Sequence, residues 1–107
     1  MEAACRGARG AGGTTLGLLP GADRADANPH VSVTVPTGLG EARNALVVRA
    51  ADALVAIGGG YGTLSEVALA LRAGKPVIGL GTWDIDGVQV VSDAEAAVRA
   101  AFDSLSA

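Results

Sequence analysis

The stretch from Asp52 to Leu80 constrains the fold most, because it carries a complete strand, turn, helix and strand pattern. The apolar run 53–57 is unbroken by polar residues and too short to span a membrane, which is typical of a strand buried on both faces. A cluster of glycines follows, and apolar residues then recur at the helical spacing of Leu64, Val67, Ala68 and Leu71. Gly74 is placed to end the helix. The stretch therefore predicts a βαβ unit in a parallel sheet.

Similar patterns predict further elements on both sides of this unit. We expect helices over 2–11 and 41–51 and strands over 14–19, 31–35 and 88–91. The second helix is predicted to face the sheet with Ala42, Leu46, Val47 and Ala50. A capping box of Ser92 and Glu95 predicts where the last helix begins.

Composition limits the classes of function. The 107 residues suit one small domain, and half of them are hydrophobic although only one each is Phe, Trp and Tyr. A net charge of −3 gives no reason to expect a nucleic-acid partner. One cysteine and one histidine offer no metal-ligand cluster and no internal disulfide. Neither a signal peptide nor a membrane-spanning run is apparent, so we expect no membrane partner and a cytoplasmic location.

The glycine cluster, Gly58, Gly59, Gly60 and Gly62, predicts an anion site between a buried strand and a helix. Glycines let backbone N–H groups approach a ligand, and the start of a helix adds unpaired donors and partial positive charge. The turn lacks the Gly-Lys-Ser/Thr of a Walker motif, and no acidic residue lies where a dinucleotide fingerprint requires one. The alternative is a tight turn without a ligand, but four glycines in five positions exceed what a turn requires.

Three further residues are candidates near this turn. Glu66 forms a capping box with Thr63 or, alternatively, contacts a ribose or serves acid–base chemistry beside the anion site. Arg43 in the first turn of a helix interacts unfavourably with the helix dipole, which costs roughly 0.3–1 kcal/mol. This cost indicates another use for Arg43, such as a phosphate contact. For Trp83, cover of the core edge or a subunit contact is favoured over ligand stacking.

The segment 59–66 resembles the PGGxGTxxE signature of the LONELY GUY family, long mislabelled lysine decarboxylases. Arg43 lies 16 residues before Gly59, as the active-site arginine does in that family. The resemblance implies a Rossmann-like three-layer α/β/α fold with a mostly parallel sheet, as one nucleotide-binding domain over residues 1–107. It further implies catalytic roles for Arg43 and Glu66 and phosphate binding by the turn, namely by Gly58, Gly59, Gly60, Gly62 and Thr63.

Two positions depart from the family pattern, because Gly58 replaces the family proline and Asn44 replaces the usual lysine. The segments 27–29, 37–44 and 79–83 are more similar to a sister branch that includes molybdenum-cofactor carrier proteins. The resemblance implies a small phosphorylated, nucleotide-like ligand and no required cofactor. The leading hypothesis is hydrolysis of the N-glycosidic bond of a nucleoside 5′-monophosphate by a phosphoribohydrolase, and lysine decarboxylation is set aside. The alternatives are a non-catalytic carrier that binds molybdenum cofactor, or an inactive truncated product.

The same resemblance implies that Met1–Ala4 corresponds to an interior helix of the family fold. We therefore expect the sheet to be incomplete at the N-terminus, with two strands upstream of Met1. An open sheet edge favours association. We expect the 107-residue chain to be poorly soluble or to assemble, and the protein to be a homo-oligomer.

Overall fold

The computed structural model describes residues 1–106, which form an α/β structure whose strand pairs are all parallel. This confirms the predicted fold class. The helices and strands are α1 Glu2–Gly10, β1 Leu16–Leu19, β2 Val33–Pro36, α2 Arg43–Ala50, β3 Leu54–Gly58, α3 Tyr61–Arg72, β4 Val77–Thr82, β5 Val88–Val91 and α4 Ala94–Asp103. Two short 3-10 turns lie at Arg24–Asp26 and Gly40–Ala42.

The chain divides into two compact units, unit 1 over Met1–Arg43 and unit 2 over Asn44–Ala107. The single domain over residues 1–107 stays a prediction. Unit 1 contains α1 and a parallel pair of strands, β1 and β2. Unit 2 contains α2 from Asn44 onward, α3, α4 and the parallel sheet of β3, β4 and β5, in that order.

Unit 1 is organised around the hydroxyl of Thr15, just before β1. Thr15 is 8% exposed, and its Oγ1 donates to the carbonyl of His30 at 2.5 Å. The same oxygen accepts from the backbone N–H of Ser32 at 2.8 Å. These bonds hold the residues before β1 against those before β2, so they set the register in which Leu16 pairs with Val33.

Unit 2 has an apolar core between its helices and its sheet. The predicted βαβ unit is confirmed, because β3 and β4, which precede and follow α3 in the chain, pair in parallel. The buried core cluster consists of Val48, Ala56, Val67, Ala70 and Val77. Gly79 lets β5 approach β4 closely, since a Cβ there would lie 2.7 Å from Cγ1 of Val88. This core fixes the position of the turn between β3 and α3.

Gly74 terminates α3 as predicted, two residues after the last helical residue, and its φ of +73° suits glycine. Its N–H donates to the carbonyl of Leu71, and the N–H of Lys75 donates to that of Ala70, the two bonds of a Schellman motif. The ammonium of Lys75 then contacts the end of α2. Its Nζ donates to the carbonyls of Val48, Arg49 and Ala51 at 2.6, 3.0 and 2.7 Å. Lys75 thus satisfies helix-end acceptors that have no intrahelical donor.

The predicted inward face of α2 is wrong. The buried residues of this helix are Asn44 and Val48, whereas Leu46 is 39% exposed and Ala50 is exposed. The 3-10 turn Gly40–Ala42 precedes α2 and places Ala42 outside it, so the helix starts two residues later than expected.

Two predictions about unit 2 also need correction. The last helix is capped by Asp93, whose carboxylate accepts from the N–H of Ala96 at 2.7 Å, so the predicted Ser92–Glu95 capping box is wrong. β3 is also less buried than expected. Ala56 is 4% exposed, but Ile57 is 49% exposed. An apolar run alone therefore did not establish burial on both faces.

Candidate functional site

The glycine turn, Gly58–Gly62, lies at the carboxyl end of β3. Gly58 ends the strand with a φ of +89°, a conformation that costs an L-residue roughly 1–2 kcal/mol. The pairing with β4 shifts at this point, because Ile57 pairs with Leu80 but Gly58 pairs with Thr82. This irregularity ends the ladder and turns the chain directly into α3, which begins at Tyr61.

The first turn of α3 presents backbone donors. Gly60 is the N-cap and supplies no side-chain cap, and its carbonyl accepts the bond from the N–H of Leu64 at 3.1 Å. The earlier N–H groups of the helix have no acceptor within the helix. A Cβ added at Gly59, Gly60 or Gly62 would meet nothing within 4 Å beyond the adjoining residues and, at Gly62, the backbone of its own helix. The turn is therefore an open cradle with the donors and dipole that favour an anion.

Residues at the end of β4 hold the opposite side of the turn. The hydroxyl of Thr82 donates to the carbonyl of Gly58 at 2.6 Å, and Nε1 of Trp83 donates to the carbonyl of Gly60 at 3.1 Å. The indole of Trp83 also stacks on the ring of Tyr61, with 6.1 Å between the ring centroids and 25° between the planes. The carbonyls of Gly58 and Gly60 thus both accept hydrogen bonds from residues at the end of β4, and these bonds fix the turn.

Sequence reasoning missed Tyr61 and Thr82 and favoured a role for Trp83 away from the ligand. The signal that points to Thr82 and Trp83 is their position at the carboxyl end of β4, next to the carboxyl end of β3. Ligands of open α/β sheets bind at this edge.

The structure decides one of the two interpretations of Glu66. Because α3 starts at Tyr61 with Gly60 as its N-cap, Thr63 is inside the first turn of the helix. The predicted Thr63–Glu66 capping box is therefore wrong. Glu66 is partly buried in the next turn of the same helix. Its role as a ligand contact stays a prediction.

Arg43 is the first residue of α2 and the last residue of unit 1. Its Nη1 donates to the carbonyl of Leu18 at 3.4 Å, which ties the guanidinium to β1. Its Nε is buried and has no hydrogen-bond partner among residues 1–106. A buried donor without a partner is uncommon, and a phosphate oxygen is a suitable acceptor for it. Arg43 and the glycine turn belong to different units, so their convergence stays a prediction.

None of the helices in residues 1–106 is long and apolar enough to cross a membrane. Within the same residues, no group of three or more His, Cys, Asp and Glu side chains is arranged to hold a metal ion.

The model of the SLOG cluster4 family matches residues 1–104 of the sequence. The chain belongs to the SLOG cluster4 family. This SLOG cluster4 chain is also 40% identical over 100 residues to an uncharacterized protein of Archaeoglobus fulgidus. That alignment covers 92% of the chain and 66% of the relative, so the chain spans about two thirds of the relative's length.

Solved structures with this fold are similar over almost the whole SLOG cluster4 chain. The molybdenum cofactor binding protein of Rippkaea orientalis is 37% identical with a TM-score of 0.87, over 99% of this chain and 71% of that one. The molybdenum cofactor carrier protein of Chlamydomonas reinhardtii is 41% identical with a TM-score of 0.83, over 97% and 69%. The predicted superfamily and branch are confirmed, and so is the Rossmann-like class of the fold.

Proposed function

We propose that this protein binds the molybdenum cofactor as a carrier, without catalytic turnover, and holds the cofactor's phosphate at the glycine turn. The observation that carries the proposal is the open cradle of Gly59, Gly60 and Gly62 at the start of α3. Support comes from the similarity to a molybdenum cofactor binding protein and a molybdenum cofactor carrier protein over at least 97% of the chain.

Each residue of the site has a binding role in this proposal. The backbone N–H groups at the start of α3, including that of Thr63, donate to the phosphate oxygens, and Gly58 supplies the bend that presents them. Arg43 keeps its proposed role as a phosphate contact, in which its buried Nε gains an acceptor. Glu66 accepts a hydrogen bond from an N–H or O–H group of the ligand.

Hydrolysis of a nucleoside 5′-monophosphate, the leading hypothesis from the sequence, is the second candidate. The spacing of Arg43 and Glu66 relative to the glycine turn favours it. The solved relatives support the carrier better, because they are named for binding or carrying the cofactor. A cytoplasmic location and a homo-oligomeric state stay predictions.

One experiment separates the two functions. The chain is incubated with molybdenum cofactor and, separately, with AMP and with a cytokinin riboside 5′-monophosphate. We expect the cofactor to elute with the protein in gel filtration and no free base to be released. Arg43→Gln should reduce cofactor retention at least about tenfold, because a charged hydrogen-bond donor is lost.

The matched control is Arg49→Gln, which removes an exposed cation from the last turn of the same helix. Retention should be unchanged in this variant. Release of free base that Glu66→Gln abolishes would contradict the carrier proposal and establish the hydrolase.

A further inference from the structure

Tyr61 carries an aromatic ring that is unusually exposed for its position at the glycine turn. Tyr61 is 83% exposed within the described structure, although it begins α3 directly after Gly58, Gly59 and Gly60. One face of its ring is stacked on Trp83. Two of the three aromatic residues in the whole chain therefore lie together at the rim of the cradle. Aromatic rings usually bury most of their large area, so this concentration of exposed ring surface requires an explanation.

Trp83 fixes the pair relative to the cradle. Its Nε1 donates to the carbonyl of Gly60, and the preceding residue, Thr82, donates from its side chain to the carbonyl of Gly58. The indole is partly buried, whereas Tyr61 leaves its outer side open to solvent. Both rings are thus held by the same backbone segment that presents the anion donors. A surface positioned before the ligand arrives reduces the entropy that binding costs.

We propose that Tyr61 and Trp83 form an aromatic platform on which the planar nitrogen heterocycle of the ligand stacks while its phosphate occupies the glycine turn. This inference rests on the proposed function, since it assigns the second half of the same ligand. Stacking on an aromatic side chain accepts any heterocycle with a π-face, so a pterin and a purine share this chemistry. With the platform, the site is expected to bind a phosphorylated heterocycle more tightly than phosphate alone.

The 107-residue chain can be tested by titration calorimetry with four probes: a pterin monophosphate, AMP, ribose 5-phosphate and inorganic phosphate. Tyr61→Leu removes the outer ring, Tyr61→Phe keeps it, and Phe102→Leu removes an exposed ring from α4 as a matched control. We expect Tyr61→Leu to weaken pterin monophosphate binding about tenfold or more. The two phosphates without a ring should bind within twofold of the wild type. Tyr61→Phe and Phe102→Leu should bind all four probes as the wild type does.

The probes distinguish the possible ring systems and the possible failures. A loss confined to the pterin identifies a pterin platform, and a loss confined to AMP identifies a purine platform. Equal binding of both heterocyclic probes by the wild type and Tyr61→Leu overturns the platform, while phosphate binding at the turn stands.

Absence of binding by ribose 5-phosphate and inorganic phosphate would instead contradict phosphate binding at the turn. The platform is then tested with an unphosphorylated pterin. Quenching of the fluorescence of Trp83, the sole tryptophan, that disappears in Tyr61→Leu supports the platform. Quenching that persists in this variant, or no quenching in the wild type, overturns it.

Discussion

Units 1 and 2 are both built on parallel strands, yet each unit is stabilised by a different kind of interaction. Unit 2 buries aliphatic side chains completely, with Val67 at 0% and Ile78 at 1% exposure. Among residues 1–43, Thr15 is the one buried side chain, and Leu16 on the adjoining strand is 56% exposed. Burial of apolar area contributes most of the folding free energy of a domain, whereas a hydrogen bond adds about 1 kcal/mol net. Unit 2 therefore provides the stable frame, and it contains the glycine turn.

The largest expected effect breaks the core of unit 2. Ile78→Ala should lower the free energy of unfolding by about 2–5 kcal/mol, because it leaves a cavity at a fully buried position. Leu16→Ala in unit 1 should cost less than about 0.5 kcal/mol, since that side chain is already largely in water. Urea denaturation followed by circular dichroism measures both. Similar losses in the two variants would show that the contrast between the units is false.

The next effect concerns the link between α2 and α3 within unit 2. Lys75→Met keeps an unbranched side chain, shorter by the ammonium nitrogen, and removes the three hydrogen bonds to the carbonyls of Val48, Arg49 and Ala51. We expect a loss of about 1.5–3 kcal/mol in the free energy of unfolding, the range for hydrogen bonds to charged groups. Arg72→Met, at the exposed end of α3, is the control and should stay within about 0.5 kcal/mol. If the Lys75→Met protein is as stable as this control, the hydrogen bonds of the ammonium do not stabilise unit 2.

A smaller effect is expected in unit 1. Thr15→Val has nearly the same shape but leaves the carbonyl of His30 and the N–H of Ser32 without the hydroxyl. The expected loss is about 1–2 kcal/mol, measured in the same denaturation experiment. Thr14→Val changes an exposed threonine one residue earlier and should be nearly neutral. If Thr15→Val is neutral as well, polar contacts do not organise unit 1.

Much of the fold could be predicted from the sequence where local patterns and packing agree. The βαβ unit is an example, because the apolar run 53–57, the glycines after it and Gly74 all favour the same strand, turn and helix. The start of α3 could not be placed, since Gly60 and Gly62 are poor helix formers and Thr63 offers a better cap by local rules. The helix begins at Tyr61 instead, where hydrogen bonds from the end of β4 hold the turn.

The candidate site likewise has one feature that the sequence predicts and one that it does not. The glycine turn was identifiable because its composition alone requires an unusual backbone, and Gly58 does adopt a positive φ. The contact of Tyr61 with Trp83 could not be identified from the sequence, because it depends on the register between β3 and β4. Sequence periodicity carries no information about which strand ends are neighbours.

A small expected gain in stability accompanies a large expected loss of binding at Gly62. Gly62 lies in the first turn of α3 and Gly7 lies within α1, and a Cβ at either meets nothing within 4 Å beyond the adjoining residues and the backbone of its own helix. Alanine at each position should raise the free energy of unfolding by about 0.5–1 kcal/mol, because alanine favours a helix over glycine. The two variants are therefore matched in their effect on stability.

The central claim is that the open cradle at the glycine turn is occupied by the ligand's phosphate. Its most direct test is the affinity of the wild type, Gly62→Ala and Gly7→Ala for molybdenum cofactor, measured by retention on gel filtration over a range of cofactor concentrations. We predict that Gly62→Ala is slightly more stable than the wild type yet binds at least about tenfold more weakly, while Gly7→Ala binds as the wild type does. Undiminished cofactor binding by a folded Gly62→Ala protein would contradict the claim.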